Sequence, residues 1–289
     1  MYIIFGSTGF IGKNLYHKLI NINGKKVVQA IGRNSTKIKN LDLTIHKNFE
    51  KIPNHKYDCV YAFAGKSNFI LNDIKKENLQ KKTNIKIINN IINFCKKNQV
   101  KKIIFLSSSA VYSISNSLPL NERQKISPKN SLGLSKHSIE KKLKLAFKKT
   151  STKIVILRVF TVYGKDMRKE QFLYQAIKKF KSSKKKLLFW NKDIFRNFIH
   201  IDDLINIIIK FTNEKMPKYS IYNVASNKSH RIGDIIYLLN GLSKDKKEIN
   251  FKSNTNNLSH NVNTNKINKK FGLSFKNFKK GLVKLYEKI

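Results

Sequence analysis

The chain has 289 residues, of which 40% are hydrophobic, so it can bury the core of one large domain or of a main domain and a smaller one. No apolar run is long enough to span a membrane, so no transmembrane segment is predicted. The first residues lack a basic leader and a cleavage site. We therefore expect them to form the first strand of the fold rather than a signal peptide.

The charge is strongly basic, because 59 lysine and arginine residues stand against 17 aspartate and glutamate residues and give a net charge of +42. Such a charge is typical of proteins that bind nucleic acids or anionic surfaces. A second explanation is codon usage in an AT-rich genome, because asparagine and isoleucine are also abundant and nearly all basic residues are lysine. Base-edge recognition favours arginine. We therefore expect no specific nucleic-acid partner, and only weak, salt-sensitive adhesion to polyanions.

The chain has two cysteines, Cys59 and Cys95. The first lies in an apolar, strand-like run and the second in a helical pattern, which favours buried free thiols in a reducing compartment over a disulfide. No spacing of cysteine and histidine indicates a metal site. We therefore expect a cytoplasmic protein without a metal centre.

A strand, a glycine-rich turn and a helix begin the chain. Residues 1–5 form an apolar run and residues 13–20 have a helical pattern. The turn between them has the spacing of a dinucleotide-binding fingerprint, in which a helix start binds a pyrophosphate. Gly6 permits a sharp turn, Gly9 a close approach of the backbone to the pyrophosphate, and Gly12 close packing of the helix on the strand. The residues predicted to bind the cofactor here are Gly6, Ser7, Thr8, Gly9, Phe10, Ile11 and Gly12. A glycine turn without a ligand is the alternative.

The residue after the second predicted strand, residues 27–31, indicates which dinucleotide is bound. In such folds an acidic side chain there binds the ribose 2′-hydroxyl, whereas arginine suits a 2′-phosphate. Arg33 occupies this position, which favours NADP over NAD; a solvated turn arginine is the alternative. Asp42 is expected near the adenine amino group, and small residues after a further strand, residues 59–63, let the backbone pass the cofactor.

The helix predicted over residues 77–97 has one apolar face, formed by Leu79, Ile87, Ile88, Ile91 and Phe94. Asn84 lies among these side chains and is expected to be buried with a hydrogen-bond partner. The next strand, residues 103–106, leads into Ser107, Ser108 and Ser109. Their hydroxyls stand at the carboxyl end of a parallel strand, where open α/β sheets bind ligands. A serine-rich loop that caps a helix is the alternative.

Strand and helix patterns continue to alternate along the rest of the chain. The later predicted strands cover residues 153–159, 187–190 and 219–225. The later predicted helices cover residues 171–180 and 275–288, and two others end near residues 149 and 211. This alternation, with few hairpin signals, predicts an α/β fold with a doubly wound parallel sheet.

The ordered motifs resemble the extended short-chain dehydrogenase/reductase family, which comprises nucleotide-sugar epimerases, dehydratases and reductases. The matching stretches cover nearly the whole chain: GSTGFIG at 6–12, Asp42-Leu43, AFAG at 62–65, Asn84, SSSAVY at 107–112, GLSK at 133–136 with Glu140, LRVFTVYG at 157–164, RNFIHIDDL at 196–204, YNVA at 222–225 and NTNKINKKFGL at 263–273. The resemblance adds Leu43, Phe63, Ala64, Gly65 and Lys136 to the cofactor site. It implies a Rossmann domain, residues 1–164 and 197–225, and a smaller α/β substrate domain, residues 165–196 and 226–289.

The chemistry of that family uses a serine or threonine, a tyrosine and a lysine. The motifs assign the serine to Ser108 and the lysine to Lys136, but the tyrosine position, four residues before the lysine, holds Leu132. Leucine can neither donate nor accept a proton, and a positioned acid/base group contributes ~10²–10⁴-fold to the rate. Two other hydroxyls are nearby in the motifs and are candidate replacements, Tyr112 and Tyr163.

The resemblance also implies a substrate site. Dehydratases of the family carry an Asp-Glu pair where this chain has Ser109 and Ala110, which disfavours dehydration. Arg196 matches an arginine that clamps the diphosphate of the sugar nucleotide, and a bidentate fork suits that role. Pairing with Asp202 or Asp203 is the alternative for Arg196. Thr161 stands where many relatives have an asparagine that touches the substrate phosphate.

Two functions follow from these motifs. The first is an NAD(P)-dependent epimerase or 4-keto reductase that acts on a nucleotide-activated sugar, a precursor of surface polysaccharide. The second, motivated by Leu132, is a catalytically impaired paralogue that binds NAD(P) or a sugar nucleotide in a regulatory or partner role. Family members often dimerise through two helices, here near residues 77–97 and 134–149, so a homodimer is possible.

Overall fold

The computed structural model describes residues 1–32, 39–67, 73–113, 118–253 and 259–289. Arg33 lies outside the described residues. The chain divides into two compact units, which we call unit 1 and unit 2. Unit 1 comprises Met1–Tyr112, Ile126–Val159 and Ile205–Tyr222. Unit 2 comprises Ser113–Lys125, Phe160–Leu204 and Asn223–Ile289. That cofactor and substrate bind to separate domains stays a prediction.

Strands and helices alternate along the described chain. The strands are β1 (Tyr2–Phe5), β2 (Val28–Gly32), β3 (Lys39–Asn40), β4 (Cys59–Ala62), β5 (Lys102–Ser108), β6 (Lys153–Val159), β7 (Thr161–Tyr163), β8 (Lys186–Trp190), β9 (Phe195–His200), β10 (Tyr219–Val224), β11 (Ser229–Arg231) and β12 (Glu248–Lys252). The helices are α1 (Phe10–Asn23), α2 (Ile74–Lys97), α3 (Ser131–Ala146), α4 (Phe172–Phe180), α5 (Ile201–Asn213), α6 (Ile232–Leu242), α7 (Asn265–Phe271) and α8 (Phe278–Lys288). In the described part of the chain, no helix has the length and apolar character needed to cross a membrane.

A seven-stranded sheet in the order β10-β6-β5-β4-β1-β2-β3 organises unit 1. β1 pairs in parallel with β2 on one side and with β4 on the other, so that Ile3 lies between Gln29 and Val60. The strand order reverses direction at β1, which is where doubly wound sheets bind ligands at the carboxyl ends of their strands. The predicted α/β Rossmann-type fold is confirmed.

The core of unit 1 is built from strands that are buried on both faces. Ile3, Ile4 and Phe5 are fully buried, as expected for a parallel strand covered by helices. α2 and α3 pack against each other on the sheet. Cys59 and Cys95 are buried free thiols, and burial raises the pKa of Cys59 to about 12.

The prediction that Leu79 belongs to the buried face of α2 is wrong. Leu79 is 56% exposed, whereas Gln80 is buried. The buried face of α2 repeats from Gln80 through Asn84 to Ile87 and Ile91, at the spacing of one helical face. Because Gln80 is polar, the apolar pattern does not show that it belongs to this face, and it points instead to the exposed Leu79.

Several predicted ends shift by a few residues. α1 begins at Phe10 instead of 13, β5 continues two residues past 106, and α3 ends at Ala146 instead of 149. α2 begins at Ile74 because the Asp73 side chain accepts a hydrogen bond from the Lys76 amide. Asn277 caps α8 in the same way and delays its start to Phe278.

Unit 2 contains two small sheets. In one, β9 pairs in parallel with β7 and antiparallel with β11. In the other, β8 and β12 pair in parallel. An aromatic cluster packs under β9, in which the Phe278 ring lies 4.8 Å from Phe198 and 5.2 Å from Tyr163.

Candidate functional site

The glycine turn after β1 has the close contacts that its sequence predicts. Gly6 has a positive φ of 95°, and a Cβ atom there would lie 2.6 Å from the Ala64 amide nitrogen. A Cβ atom at Gly12 would lie 2.1 Å from the Gly6 carbonyl oxygen. Both positions therefore require glycine. Among the described residues no side chain caps the start of α1 at Gly9, and its first turn holds no acidic residue. Its amide groups can therefore receive an anion.

Ser7 adds a polar group to this turn. The Ser7 side chain is fully buried, and its hydroxyl has no hydrogen-bond partner among the described residues. The Gly6 and Ser7 amides donate to the Ile31 carbonyl oxygen at 2.9 and 3.1 Å, which ties the turn to the end of β2. A Cβ atom at Gly32 would lie 3.1 Å from the Ser7 hydroxyl. A buried hydroxyl without a partner fits a turn that holds a polar ligand.

In the segment after β3, Asp42 faces solvent and Leu43 packs into the core. Asp42 is exposed, and its Oδ1 accepts hydrogen bonds from the amide and the hydroxyl of Thr44 at 2.9 and 2.8 Å. Leu43 is buried in the core of unit 1, and its carbonyl oxygen accepts a hydrogen bond from Asn90. Cofactor contacts of both residues stay predictions.

The loop after β4, residues 63–67, is held by one side chain of α2. Asn84 accepts a hydrogen bond from the Lys66 amide at 2.7 Å and donates to the Lys66 carbonyl oxygen at 2.9 Å. It also donates to the Ser135 hydroxyl on α3. A Cβ atom at Gly65, where φ is 147°, would lie 3.0 Å from Asn84. The prediction that Asn84 is buried with a partner is confirmed, and Asn84 holds the loop at Lys66, the residue after Gly65.

The predicted serine and lysine both lie near the end of β5. Ser108 is the last residue of the strand, and its hydroxyl oxygen accepts a hydrogen bond from the Ala110 amide at 3.1 Å. Ser109 begins the short 3-10 turn that follows. The Lys136 ammonium donates to the Leu106 carbonyl oxygen at 2.7 Å and lies 4.8 Å from the centre of the Phe105 ring. Burial lowers the pKa of Lys136 to about 8, although the Glu140 carboxylate opposes this shift.

Leu132 is half-buried and lies one helical turn before Lys136, so the two side chains share one face of α3. Both tyrosines considered as replacements are buried. The Tyr112 side chain is buried, and its hydroxyl accepts a hydrogen bond from Arg158. Tyr163 is buried in the aromatic cluster of unit 2, and burial raises the pKa of its hydroxyl.

A buried ion pair joins α3 to β6 next to these residues. Arg158 on β6 donates to both carboxylate oxygens of Glu140 on α3, at 3.1 and 2.8 Å. Ser107 donates to the same carboxylate at 2.5 Å, and Arg158 also donates to the Tyr112 hydroxyl. These bonds connect Ser107, which precedes Ser108 on β5, to α3, the helix that carries Lys136. The sequence analysis missed this network, although Arg158 is a charged residue in an otherwise apolar strand.

The predicted substrate residues outside unit 1 are Thr161 and Arg196. Thr161 begins β7 and Arg196 is the second residue of β9; both are half-buried. The Arg196 guanidinium donates to the Phe195 carbonyl oxygen, and burial lowers its pKa to about 10. Both the Asp202 and the Asp203 carboxylate bind Lys276, and the pairing of Arg196 with either of them stays an alternative. Thr161 and Arg196 lie in unit 2, whereas Ser108, Ser109 and Lys136 lie in unit 1.

Comparisons with known proteins agree with this architecture. The model of the NAD dependent epimerase/dehydratase family matches residues 2–225. A putative UDP-glucose 4-epimerase of Methanocaldococcus jannaschii is 26% identical over 264 residues, which cover 87% of this chain and 83% of that protein. The structure of UDP-glucose 4-epimerase from Thermotoga maritima with UDP-glucose has a TM-score of 0.86 at 18% identity, and the match covers 99% of this chain and 98% of that one. RMD from Pseudomonas aeruginosa complexed with NADPH has a TM-score of 0.85 at 17% identity, with coverage of 99% and 98%.

Proposed function

This chain belongs to the NAD dependent epimerase/dehydratase family, and we propose that it is an NAD(P)-dependent epimerase or 4-keto reductase of a nucleotide-activated sugar. The observation that carries this proposal is the convergence of Ser108 and Lys136 at the carboxyl end of β5. The glycine turn lies in the same unit, at the carboxyl end of β1. The sugar is proposed to be a precursor of surface polysaccharide.

Residues of the glycine turn are proposed to hold the cofactor. The amides at the start of α1 would bind the pyrophosphate, and the absence of a Cβ atom at Gly9 would let the backbone approach it. A bound nicotinamide supplies a hydride acceptor or donor. Arg33 favours NADP over NAD, and the NADPH complex of the Pseudomonas aeruginosa protein is a precedent in this fold. The turn itself suits either dinucleotide.

Ser108 and Lys136 have separate tasks in the proposed reaction. Because the Ser108 hydroxyl oxygen already accepts from the Ala110 amide, its proton is available to donate to the reacting sugar oxygen. Lys136 is proposed to hold the nicotinamide ribose, since an ammonium has three protons and its known bond to Leu106 uses one of them. The buried pair of Glu140 and Arg158 would keep both groups in position.

The substrate residues are proposed to be Ser109, Thr161 and Arg196. The planar guanidinium of Arg196 suits a bidentate contact with the diphosphate of a sugar nucleotide. The UDP-glucose complex of the Thermotoga maritima epimerase supports this class of substrate. A homodimer through α2 and α3 also stays a proposal; exposed Leu79 and Leu145 on these helices support it.

Leu132 motivates the second candidate function, a catalytically impaired paralogue that binds its ligands in a regulatory or partner role. A site that lacks its acid/base group should be ~10²–10⁴-fold slower than ordinary relatives. The burial of Tyr112 and Tyr163 favours this candidate, because a buried hydroxyl is poorly placed to replace the missing one.

A turnover assay tests the proposed function. The purified protein would be incubated with NAD, NADP and their reduced forms against UDP-, ADP- and dTDP-activated sugars, and products would be separated by chromatography. The Lys136→Met variant is the matched control. The proposal predicts epimer formation or oxidation of the reduced cofactor by the wild type alone. Measured cofactor binding with no turnover of any sugar would support the impaired paralogue instead.

A further inference from the structure

His260 contacts the chain neighbours of two proposed substrate residues, and none of the functional motifs includes it. Its backbone amide donates to the Phe195 carbonyl oxygen at 2.8 Å, and the Ser259 hydroxyl accepts from the Phe195 amide at 2.9 Å. This segment therefore runs alongside the start of β9, next to Arg196. The His260 ring also meets Phe160 edge-on, with 5.4 Å between the ring centres. Phe160 directly precedes Thr161, so His260 contacts the neighbours of both residues within unit 2.

The imidazole of His260 has an unused polar atom. Its Nδ1 is buried and has no hydrogen-bond partner among the residues that the structure describes. Buried polar atoms are nearly always satisfied, so this one needs a partner of another kind. Burial and the charge of Arg196 lower the pKa of His260 to about 3, and the imidazole is therefore neutral at pH 7. A neutral imidazole beside a cation can carry its proton on Nδ1 and donate it.

We propose that His260 and Arg196 form one anion-binding subsite, in which the Nδ1–H of His260 and the Arg196 guanidinium bind oxygen atoms of a nucleoside diphosphate. The inference rests on the proposed function and extends it by a second recognition residue. A diphosphate satisfies the unpaired nitrogen and offsets the loss of solvation at Arg196 in a single step. An uncharged sugar or nucleoside would satisfy only the nitrogen. The subsite therefore selects for the diphosphate part of the substrate.

Calorimetric titration of the full-length protein with UDP, ADP and uridine tests the subsite. His260→Ala should weaken the affinity for UDP and ADP about tenfold, in the range of one lost charge-assisted hydrogen bond, and His260→Asn should recover part of it. Ser259→Ala is the structural control, because it removes the contact with Phe195 and keeps the imidazole. Affinity for NADH should not change in any of the three variants.

Three results would overturn the subsite. These are unchanged UDP and ADP affinity in His260→Ala, equal weakening by Ser259→Ala, and absence of UDP and ADP binding by the wild-type protein. Failure of the proposed function gives a different result from failure of the subsite. If UDP binding depends on His260 but no activated sugar is turned over, the subsite stands and the enzyme proposal does not. If a sugar nucleotide is turned over but the UDP affinity of His260→Ala is unchanged, the enzyme proposal stands and the subsite does not.

Discussion

The Lys136 ammonium donates a 2.7 Å hydrogen bond to the carbonyl oxygen of Leu106, two residues before Ser108 on the same strand. This bond brings the charged group of α3 to the carboxyl end of β5, where the proposed reaction needs it. It also holds a cation in a largely desolvated place, over the Phe105 ring. The proposed site therefore has its lysine and its serine near the same strand end, whereas the proposed tyrosine position holds Leu132.

The desolvated lysine predicts a particular pH dependence of stability. The pKa of Lys136 is about 8 in the folded protein and near 10.5 in the unfolded chain. Between these values the unfolded state binds more protons, so the free energy of unfolding contributed by this group rises with pH. Relative to Lys136→Met, the wild type should therefore gain stability from pH 7 to pH 9.5. Urea unfolding at both pH values measures this difference.

The control for that measurement is Lys142→Met, on the exposed face of the same helix. Its stability relative to the wild type should be the same at both pH values. If Lys136→Met behaved like this control, the desolvation of the Lys136 ammonium would be refuted.

The buried ion pair predicts a large and non-additive effect. Glu140→Gln leaves the Arg158 charge without its carboxylate in a buried environment, which should cost about 3–5 kcal/mol of unfolding free energy. The double variant Glu140→Gln with Arg158→Met should lose less than the sum of the two single variants, because no unpaired charge remains. Chemical denaturation of all three variants tests this.

An exposed pair provides the comparison. Glu248→Gln breaks the contact with Lys186 on the surface of unit 2, and the unfolding midpoint should hardly change. Equal losses in Glu140→Gln and Glu248→Gln would contradict the buried role of the first pair.

The glycine turn predicts that binding and folding can be separated. A Cβ atom at Gly9 would lie at an ordinary 3.4 Å from the Gly6 carbonyl oxygen, so Gly9→Ala should fold normally. The new methyl group would nevertheless stand where the pyrophosphate approaches, and affinity for NAD(P)H should fall at least about tenfold. Fluorescence titration with NADH and NADPH, combined with thermal melting, measures both properties.

Two further glycines calibrate that result. Gly12→Ala should lose both stability and binding, because its Cβ atom would lie 2.1 Å from the Gly6 carbonyl oxygen. Gly241→Ala, in α6 with nothing within 4 Å, should keep both. Normal cofactor affinity in Gly9→Ala would place the dinucleotide elsewhere.

Much of the fold and part of the site could be predicted from local sequence patterns. The alternation of apolar strands and helices was sufficient for the sheet, and the glycine spacing for the turn. Asn84 was predicted to be buried because a polar residue interrupted an apolar helical face. The same reasoning fails at Leu79. The buried position there is the polar Gln80, which an apolar pattern does not detect, and the neighbouring Leu79 is exposed.

What sequence patterns could not provide were contacts between distant segments. The partner of Glu140 is on a strand 18 residues away, and the position of His260 depends on contacts with Phe160 and Phe195. Nothing in the spacing of these residues predicts that they meet. The length of β5 was also underestimated, because serines are poor strand signals, although Ser107 and Ser108 continue the parallel pairing with β6.

Restoring the missing tyrosine should increase activity. Leu132 is half-buried on the face of α3 that carries Lys136, so a tyrosine there would provide the absent acid/base group beside the ammonium. Leu132→Tyr should raise turnover by ~10²–10⁴-fold without changing cofactor affinity. Leu134→Tyr, at a 40% exposed position of the same helix, is the matched control and should change neither. Steady-state rates of the two variants decide between these outcomes.

The most direct test of the central claim is hydride transfer under single-turnover conditions, with the protein in excess over a nucleotide-activated 4-keto sugar. Deuterium from NADPH or NADH labelled at nicotinamide C4 would be followed into the sugar by mass spectrometry. We predict slow incorporation by the wild type, none by Lys136→Met, and faster incorporation by Leu132→Tyr. Absence of deuterium in the product of all three proteins, with cofactor and UDP shown to bind, would contradict the account.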